Sequence, residues 1–383
     1  MFVDPQLHLY ATLVGVIAFY LIPRHRVQAR ALWLVVLSVV LVFYSSPYAV
    51  PLCALSSVVG ALCVRGLDTK FRQVSSWLGI AAPLTLMLAV PAMCSEEFTT
   101  LARLGLSYFA LKSVSVVIDA RRSAVRPGLL QIFLLNFFYP AYSAGPIDRA
   151  KTFADKELAS APSVDNLWNG LQRVVLGIFK VNFVVGKFIV AIQTSRFDHA
   201  LDRPGDFPTQ ELWLAVMLAF VSLYVSFSGY TDIAVGTARL FGIRLRENFD
   251  NPLFANSIQN FWQRWHRSLA GFVADYVFLP LVRATGNPYL GIFVAFFLAG
   301  LWHELTINYV IWGSLHGAAL ALNMRYSRTV KKYPSAQRLN QNPLVDVVCR
   351  VLTLGFVAWL SAFANRDSLD VAWALTRALL GLQ

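Results

Sequence analysis

Charge is scarce in this chain. Asp, Glu, Lys and Arg make up 14% of its 383 residues, against 57% that are hydrophobic. Soluble chains are roughly 25% charged, so the composition excludes a soluble enzyme, whose two or three domains would need polar surface that is not there. Cysteine is scarcer still. Cys53, Cys63, Cys94 and Cys349 form no CxxC pair, which excludes a disulfide framework and a zinc ribbon and leaves apolar packing as their use. Several catalytic signatures are missing as well. There is no GxSxG elbow for a serine hydrolase, and no GxGxxG or GxxxxGK(S/T) loop for a nucleotide. His303-Glu304 opens like HExxH, but Ile307 stands where the second zinc ligand belongs. No histidine has an acid five positions later, so the HxxxxD arrangement of many glycerolipid acyltransferases is absent and no metal site is expected. Acidic residues are few, 21 against 33 Lys and Arg, for a net charge of +12. In a membrane protein this excess follows from basic residues kept in cytoplasmic loops, so no nucleic-acid partner is expected.

Long apolar runs are what the chain has in abundance, with a mean hydropathy of +0.55. They do not alternate in polarity, which argues against a transmembrane β-barrel. At ~20 residues per span the expectation is an all-α polytopic membrane protein of about ten transmembrane helices. The first run, about residues 8 to 23, has no basic residue before it and ends at Arg24, His25, Arg26 and Arg30. It reads as a span rather than a cleavable leader, with the N-terminus extracytoplasmic. Arg65, Lys70 and Arg72, then the acidic tip Ser95-Glu96-Glu97, then Arg121, Arg122 and Arg126 keep sign and parity in step to residue 126.

Parity then fails. The run at 129–147 has basic flanks on both sides and contains Pro140, Gly145 and Pro146, so a re-entrant or broken helix lining a cavity is expected. A helix over about 167–193 carries Arg173, Lys180 and Lys187 on one face. The stretch 242–287 reads as too polar to cross lipid. Asp232 and Arg239, seven apart, pair with each other or with neighbouring helices. No domain boundary is visible, so 1–383 is read as one membrane domain: N-terminal spans to 126, a motif-bearing core over 127–325, and C-terminal spans over 326–383.

Ionisable groups at membrane depth are costly and usually functional. His303, within FLAGLWHELTINYVIWGSLHG, is the foremost candidate: a neutral buried imidazole is the form a general base needs. The alternative is a histidine bonded to a neighbouring helix. His316 lies ~20 Å further along a continuous helix and is read as structural unless that helix breaks. His266, with Arg264, Trp262 and Trp265, is either catalytic or part of an interfacial anchor.

WQRWHRSLAGFVADYVFLPL, followed by GLWHE and WGSLHG, resembles the signature of the membrane-bound O-acyltransferase superfamily in its bacterial branch. LGLSYFALKSVSVVIDARR, AGPIDRAKTF, LWNGLQRVVLGIFK and FSGYTDIAVGTARLFGIRLRENFDNP extend the resemblance over about residues 100–325. The teichoic-acid D-alanyl transferases and the alginate or exopolysaccharide O-acetyltransferases are the two relatives within it. The resemblance implies tilted helices and re-entrant segments around a thin centre crossed by a tunnel. It places His303 as the principal catalytic histidine and His266 as the second, near the cytoplasmic mouth. Glu304 stands where the family commonly has Gly. That carboxylate raises the basicity of His303, selects a cationic donor, or is simply tolerated.

The function this implies is transfer of a D-alanyl, acetyl or similar group. The donor is a thioester on phosphopantetheine, an acyl carrier protein or acyl-CoA in the cytoplasm, and the acceptor is a hydroxyl of an extracytoplasmic envelope polymer or glycan. No tightly bound cofactor is expected. The protein would be multi-pass in the cytoplasmic (inner) membrane. Trp302, Glu304, Asn308, Arg264, Trp265 and Asp275 are the substrate-binding candidates, and the arginines from Arg244 to Arg283 either dock the donor or are ordinary cytoplasmic charge. Lipid or protein O-acylation, or a transporter without chemistry, are the alternatives.

Overall fold

Lipid offers the backbone no hydrogen bonds, so apolar runs of this length close their N–H and C=O groups within helices. Among the described residues there are helices and no strand. The computed structural model describes residues 5–45, 47, 49–93, 100–123, 126–142, 144–150, 158–197, 199–330, 332–334 and 342–382. The acidic tip at Ser95-Glu96-Glu97, the basic flank at Lys151 and Lys156, and Cys94 lie outside them.

The helices are α1 (Pro5–Leu21), α2 (Val27–Ser45), α3 (Ala49–Gly66), α4 (Arg72–Met93), α5 (Thr100–Arg122) and α6 (Leu129–Phe137). They continue as α7 (Val164–Arg196), α8 (Thr209–Leu240), α9 (Ile258–Arg264) and α10 (Arg267–Thr285). The last four are α11 (Pro288–His303), α12 (Ile307–Val330), α13 (Pro343–Ala364) and α14 (Leu369–Leu379). Six of them, α2, α3, α7, α8, α10 and α13, are long and apolar enough to cross a membrane, and Leu9–Leu21 and Pro288–His303 are shorter apolar helices. This is an all-α, polytopic membrane protein. Local signals set several boundaries. Asn287 and Asn342 accept the first free N–H groups of α11 and α13, each with proline at the first helical position. The expectation that 242–287 is too polar to cross is corrected for its second half, since α10 is a continuous apolar helix.

The chain divides into two compact units, Met1–Ile178 with Gly229–Glu247, and Phe179–Ser228 with Asn248–Gln383. In the first, Phe19, Leu34, Leu134, Phe138 and Phe241 centre one apolar core. The strained run at 129–147 is indeed broken. The nine-residue α6 gives way to a single tight turn at Tyr139–Ala141. The broken backbone is satisfied by side chains from other helices, as non-helical backbone at membrane depth requires. Lys112 Nζ donates to the Ala141 carbonyl at 2.7 Å, Ser38 Oγ accepts from the Tyr139 N–H at 3.2 Å, and Thr231 Oγ1 donates to the Ala144 carbonyl. Asn136 Nδ2 donates to Ser57 Oγ at 3.0 Å.

Several charges in this unit are paired internally. Arg30, which the sequence places in a basic loop, is buried at 2% exposure. Its guanidinium donates to the carbonyls of Ile22, Leu158 and Ser160 and lies 4.6 Å from the Phe19 ring. Asp232 pairs with Arg173 rather than Arg239. Arg173 Nε reaches Asp232 Oδ1 at 2.6 Å while its two terminal nitrogens grip Glu247. Arg246 lies 3.8 Å from the buried Asp148.

In the second unit, Leu212, Phe220, Phe261, Trp265, Phe296 and Leu375 form the core. Lys180, in the π-helical stretch Phe179–Ile189 of α7, donates to Ser228 Oγ at 2.8 Å, and Lys187 is exposed.

Candidate active site

The site belongs to the second unit and is built on a helical hairpin. α11 ends at His303, Glu304 turns extended (φ −164°), and α12 begins at Ile307. The two helices then pack backbone to backbone through glycines. A Cβ on Gly313 would lie 2.5 Å from the Phe296 carbonyl oxygen, and one on Gly317 would lie 2.9 Å from that of Phe293. The glycines of WGSLHG thus permit the close approach typical of small-residue helix pairs in membranes.

The break has a consequence for the histidines. His316 is not ~20 Å away along one rod; the hairpin folds it back into the cluster that holds His303. The Trp312 ring touches both, at 5.3 Å from the His303 ring and 4.7 Å from that of His316. His303 also stacks on Tyr309 (5.6 Å, 23°) and meets Trp302 edge-on at 4.8 Å. It is the exposed member of the group, and neither of its ring nitrogens has a hydrogen-bond partner among the described residues. Tyr309 is held in turn by Asn365 Oδ1 at 3.2 Å.

His316 is fully buried. Trp262 Nε1 donates to its Nδ1 at 3.3 Å, and its Nε2 meets no partner. An Nδ1 that accepts places the proton of a neutral ring on Nε2. His266 occupies a different break, the Trp265–His266 junction between α9 and α10. It is buried, adopts φ +43°, and lies 4.9 Å edge-on from Phe227. A left-handed histidine is strained and persists only where its surroundings hold it. Here Asn248 does the holding. Its backbone carbonyl accepts from the Arg267 N–H at 2.9 Å and its Oδ1 from the Ser268 N–H at 3.3 Å, the first free donors of α10.

A family model described as MBOAT, membrane-bound O-acyltransferase family, matches residues 25–357. The chain belongs to the membrane-bound O-acyltransferase family. It is similar to a probable alginate O-acetylase of Pseudomonas aeruginosa, 32% identical over 72% of this chain and 51% of that protein. It is similar to the teichoic acid D-alanyltransferase of Bacillus subtilis, 27% identical over 87% of this chain and 89% of the relative. A peptidoglycan O-acetyltransferase of Helicobacter pylori is 29% identical over 66% and 47%. The chain spans about half the length of the alginate O-acetylases it matches.

The remaining site candidates of this O-acyltransferase-family chain separate by environment. Trp302 lies beside His303. Glu304 is exposed at the hairpin and its carboxylate makes no hydrogen bond to the His303 ring. Asn308 is buried; its Nδ2 donates to the Arg366 carbonyl at 2.9 Å and its Oδ1 has no partner, so what it leaves open is an acceptor and not an oxyanion donor. Arg264 Nη1 donates to the Asp250 carbonyl at 3.3 Å. Trp265 is corrected from a substrate contact to a core residue: it stacks on Phe220 and Phe261 and is met edge-on by Phe249. Asp275 is half-buried on the π-helical turn Ala274–Phe278 of α10. Of the arginines from 244 to 283, Arg244, Arg267 and Arg283 are exposed. Sequence reasoning read His316 as structural and did not single out Trp312 or Tyr309; the turn at Glu304-Leu305-Thr306 and the glycine spacing of WGSLHG are the signals that the rod bends there.

Proposed function

We propose that this protein transfers a short acyl group, D-alanyl, acetyl or similar, from a thioester to a hydroxyl of an extracytoplasmic envelope polymer, with His303 as general base. The observation that carries the reading is the accessible His303 ring, slotted among Trp302, Tyr309 and Trp312 with both nitrogens open. Such a ring is oriented by packing and still free to take a proton. In the step, the acceptor hydroxyl gives its proton to His303 as its oxygen attacks the thioester carbonyl carbon. The C–S bond then breaks, and the departing sulfur receives that proton from the imidazolium. A thioester is reactive enough that no enzyme nucleophile is required, which suits a chain without a serine elbow. The Trp302 indole N–H and backbone amides near the hairpin are the candidate donors to the oxyanion. The donor, a carrier protein or coenzyme A thioester, arrives from the cytoplasm, and the N-terminus is extracytoplasmic. His266 assists from its strained turn.

The D-alanyl and acetyl readings differ in charge, and Glu304 bears on that choice. A carboxylate exposed beside His303 favours a donor whose acyl group carries an ammonium. The test is base-released acetate and D-alanine from envelope polymers of cells carrying wild type, His303→Gln or Glu304→Gly. His303→Gln should abolish release at unchanged protein level; normal release with this variant would sink the reading. Glu304→Gly should lower D-alanine and spare acetate.

A further inference from the structure

At the end where α4 begins and α5 finishes, the two helices of the first unit enclose a pocket of about 330 Å³ that plays no part in the site above. Arg72, Arg121 and Arg122 line its outer end, and Ile80, Val117 and Ile118, one to two turns further in, line its wall. All three arginines are exposed at their helix ends, whereas Val117 is buried and the two isoleucines are half-buried. Arg72 Nη2 donates to the Arg121 carbonyl at 3.4 Å, drawing the cations of the two helices together. Of the nearby carboxylates, Asp68 is bound by two hydrogen bonds from Arg126, and Asp119 lies on α5 itself. Arg72, Arg121, Arg122 and Arg126 thus stand against two carboxylates, Asp68 and Asp119, so positive charge predominates at this end among the described residues.

The surface beside the pocket says which medium it opens to. Phe71, just before α4, and Val74, Trp77 and Leu78 in its first two turns are 58%, 55%, 70% and 54% exposed. Exposed aliphatics with tryptophan and phenylalanine next to arginine are what a helix presents where hydrocarbon gives way to headgroups. Guanidinium groups pair with phosphate oxygens through two N–H donors at once. A pocket of this size, polar at one end and aliphatic at the other, matches an amphiphile better than a free ion.

We propose that this pocket binds the phosphate headgroup of an anionic phospholipid, with the first methylenes of its chains against Ile80, Val117 and Ile118. Basic pockets between membrane helices are suited to such headgroups. The site is independent of the acyl-transfer reading, which it neither needs nor supports.

The test is native mass spectrometry of the full-length protein, titrated with dioleoyl phosphatidylglycerol, dioleoyl phosphatidylcholine or inorganic phosphate. Wild type should retain phosphatidylglycerol at roughly tenfold lower concentration than phosphatidylcholine, a preference typical of one good charge-assisted contact. Arg121→Gln with Arg122→Gln should remove the preference. Arg65→Gln with Lys70→Gln, which deletes the same charge from exposed positions outside the pocket, should leave it intact. Should the first pair fail to fold, Ile80→Trp keeps the arginines, fills the wall and should also lose the lipid. The proposal is overturned if wild type shows no preference, if both charge pairs lose it equally, or if inorganic phosphate displaces the lipid.

Discussion

The two compact units differ in where their polar groups gather. In the first, charged side chains are held by partners from other helices and loops: Arg30 on three carbonyls, Lys112 on the Ala141 carbonyl, Arg173 on two carboxylates. In the second, two buried atoms at the hairpin, Nε2 of His316 and Oδ1 of Asn308, have no partner, and the ring of the exposed His303 bonds through neither nitrogen. A buried polar atom without a partner costs on the order of 1–3 kcal/mol, so leaving several together works against stability. Unmet buried atoms occur in the first unit too, on Ser56, Ser113, Asn136 and Arg239; what sets the hairpin apart is that its unmet atoms lie around an exposed histidine, where a substrate can use them.

The largest effect expected falls at the hairpin. His303→Ala should lower acyl release by ~10²–10⁴-fold, the usual weight of a general base, while the protein stays folded by size-exclusion profile and thermal midpoint. Loss of folding instead would erase the contrast, since His303 would then serve the fold. Arg173→Met should do the reverse, removing the Arg173 cation from the buried Asp232 at a cost of roughly 3 kcal/mol. It should be read as a lower thermal midpoint and poor yield, with near-normal activity per folded molecule. Adding Asp232→Asn should recover part of the loss.

Asn248 connects fold and site within the second unit. Asn248→Ala removes one hydrogen bond to the first turn of α10, worth about 1–2 kcal/mol where the donor is left buried, and should reduce transfer about tenfold. In a His266→Ala background the same change should add little, because its effect passes through His266; full additivity would show that Asn248 only supports the fold. Trp262→Phe frees His316 Nδ1 and should cost about 1 kcal/mol of stability or less, read as a small drop in thermal midpoint, with a change in pH profile if His316 takes part in proton movement.

The smallest effect is expected at the exposed Asp68–Arg126 pair. The two hydrogen bonds from Arg126 hold the Asp68 carboxyl below its ordinary range. A depressed carboxyl contributes stability above its unfolded pKa and loses it as pH falls through the folded value. Asp68→Asn should therefore cost a small fraction of a degree to a few degrees near neutrality, less in high salt. The difference from wild type should vanish in acid.

Much of the fold was legible because hydropathy is a local sum. The apolar runs, the interruption at Pro140 and the family motifs all stand in the linear chain, and α2, α3, α7, α8 and α13 follow them. Partnerships were not legible. Nothing near Asp232 in sequence says that its cation is Arg173 and not Arg239. Nothing near Arg30 says that it caps carbonyls 128 and 130 residues away rather than resting in a loop. Trp265 illustrates the same limit: in WQRWH it resembles an interfacial anchor, and only the rings of Phe220, Phe249 and Phe261 make it core.

The chain alone, through apolar runs too long and too uniform to leave in water, determined that this is a helical membrane protein. Through its motifs it also named His303 and His266. Tertiary structure decided which of those groups are open. Closing a polar atom needs a partner at about 3 Å, and that partner comes from wherever the packing of helices brings it. Three residues of turn, Glu304 to Thr306, and two glycines in the next helix return His316 to the neighbourhood of His303.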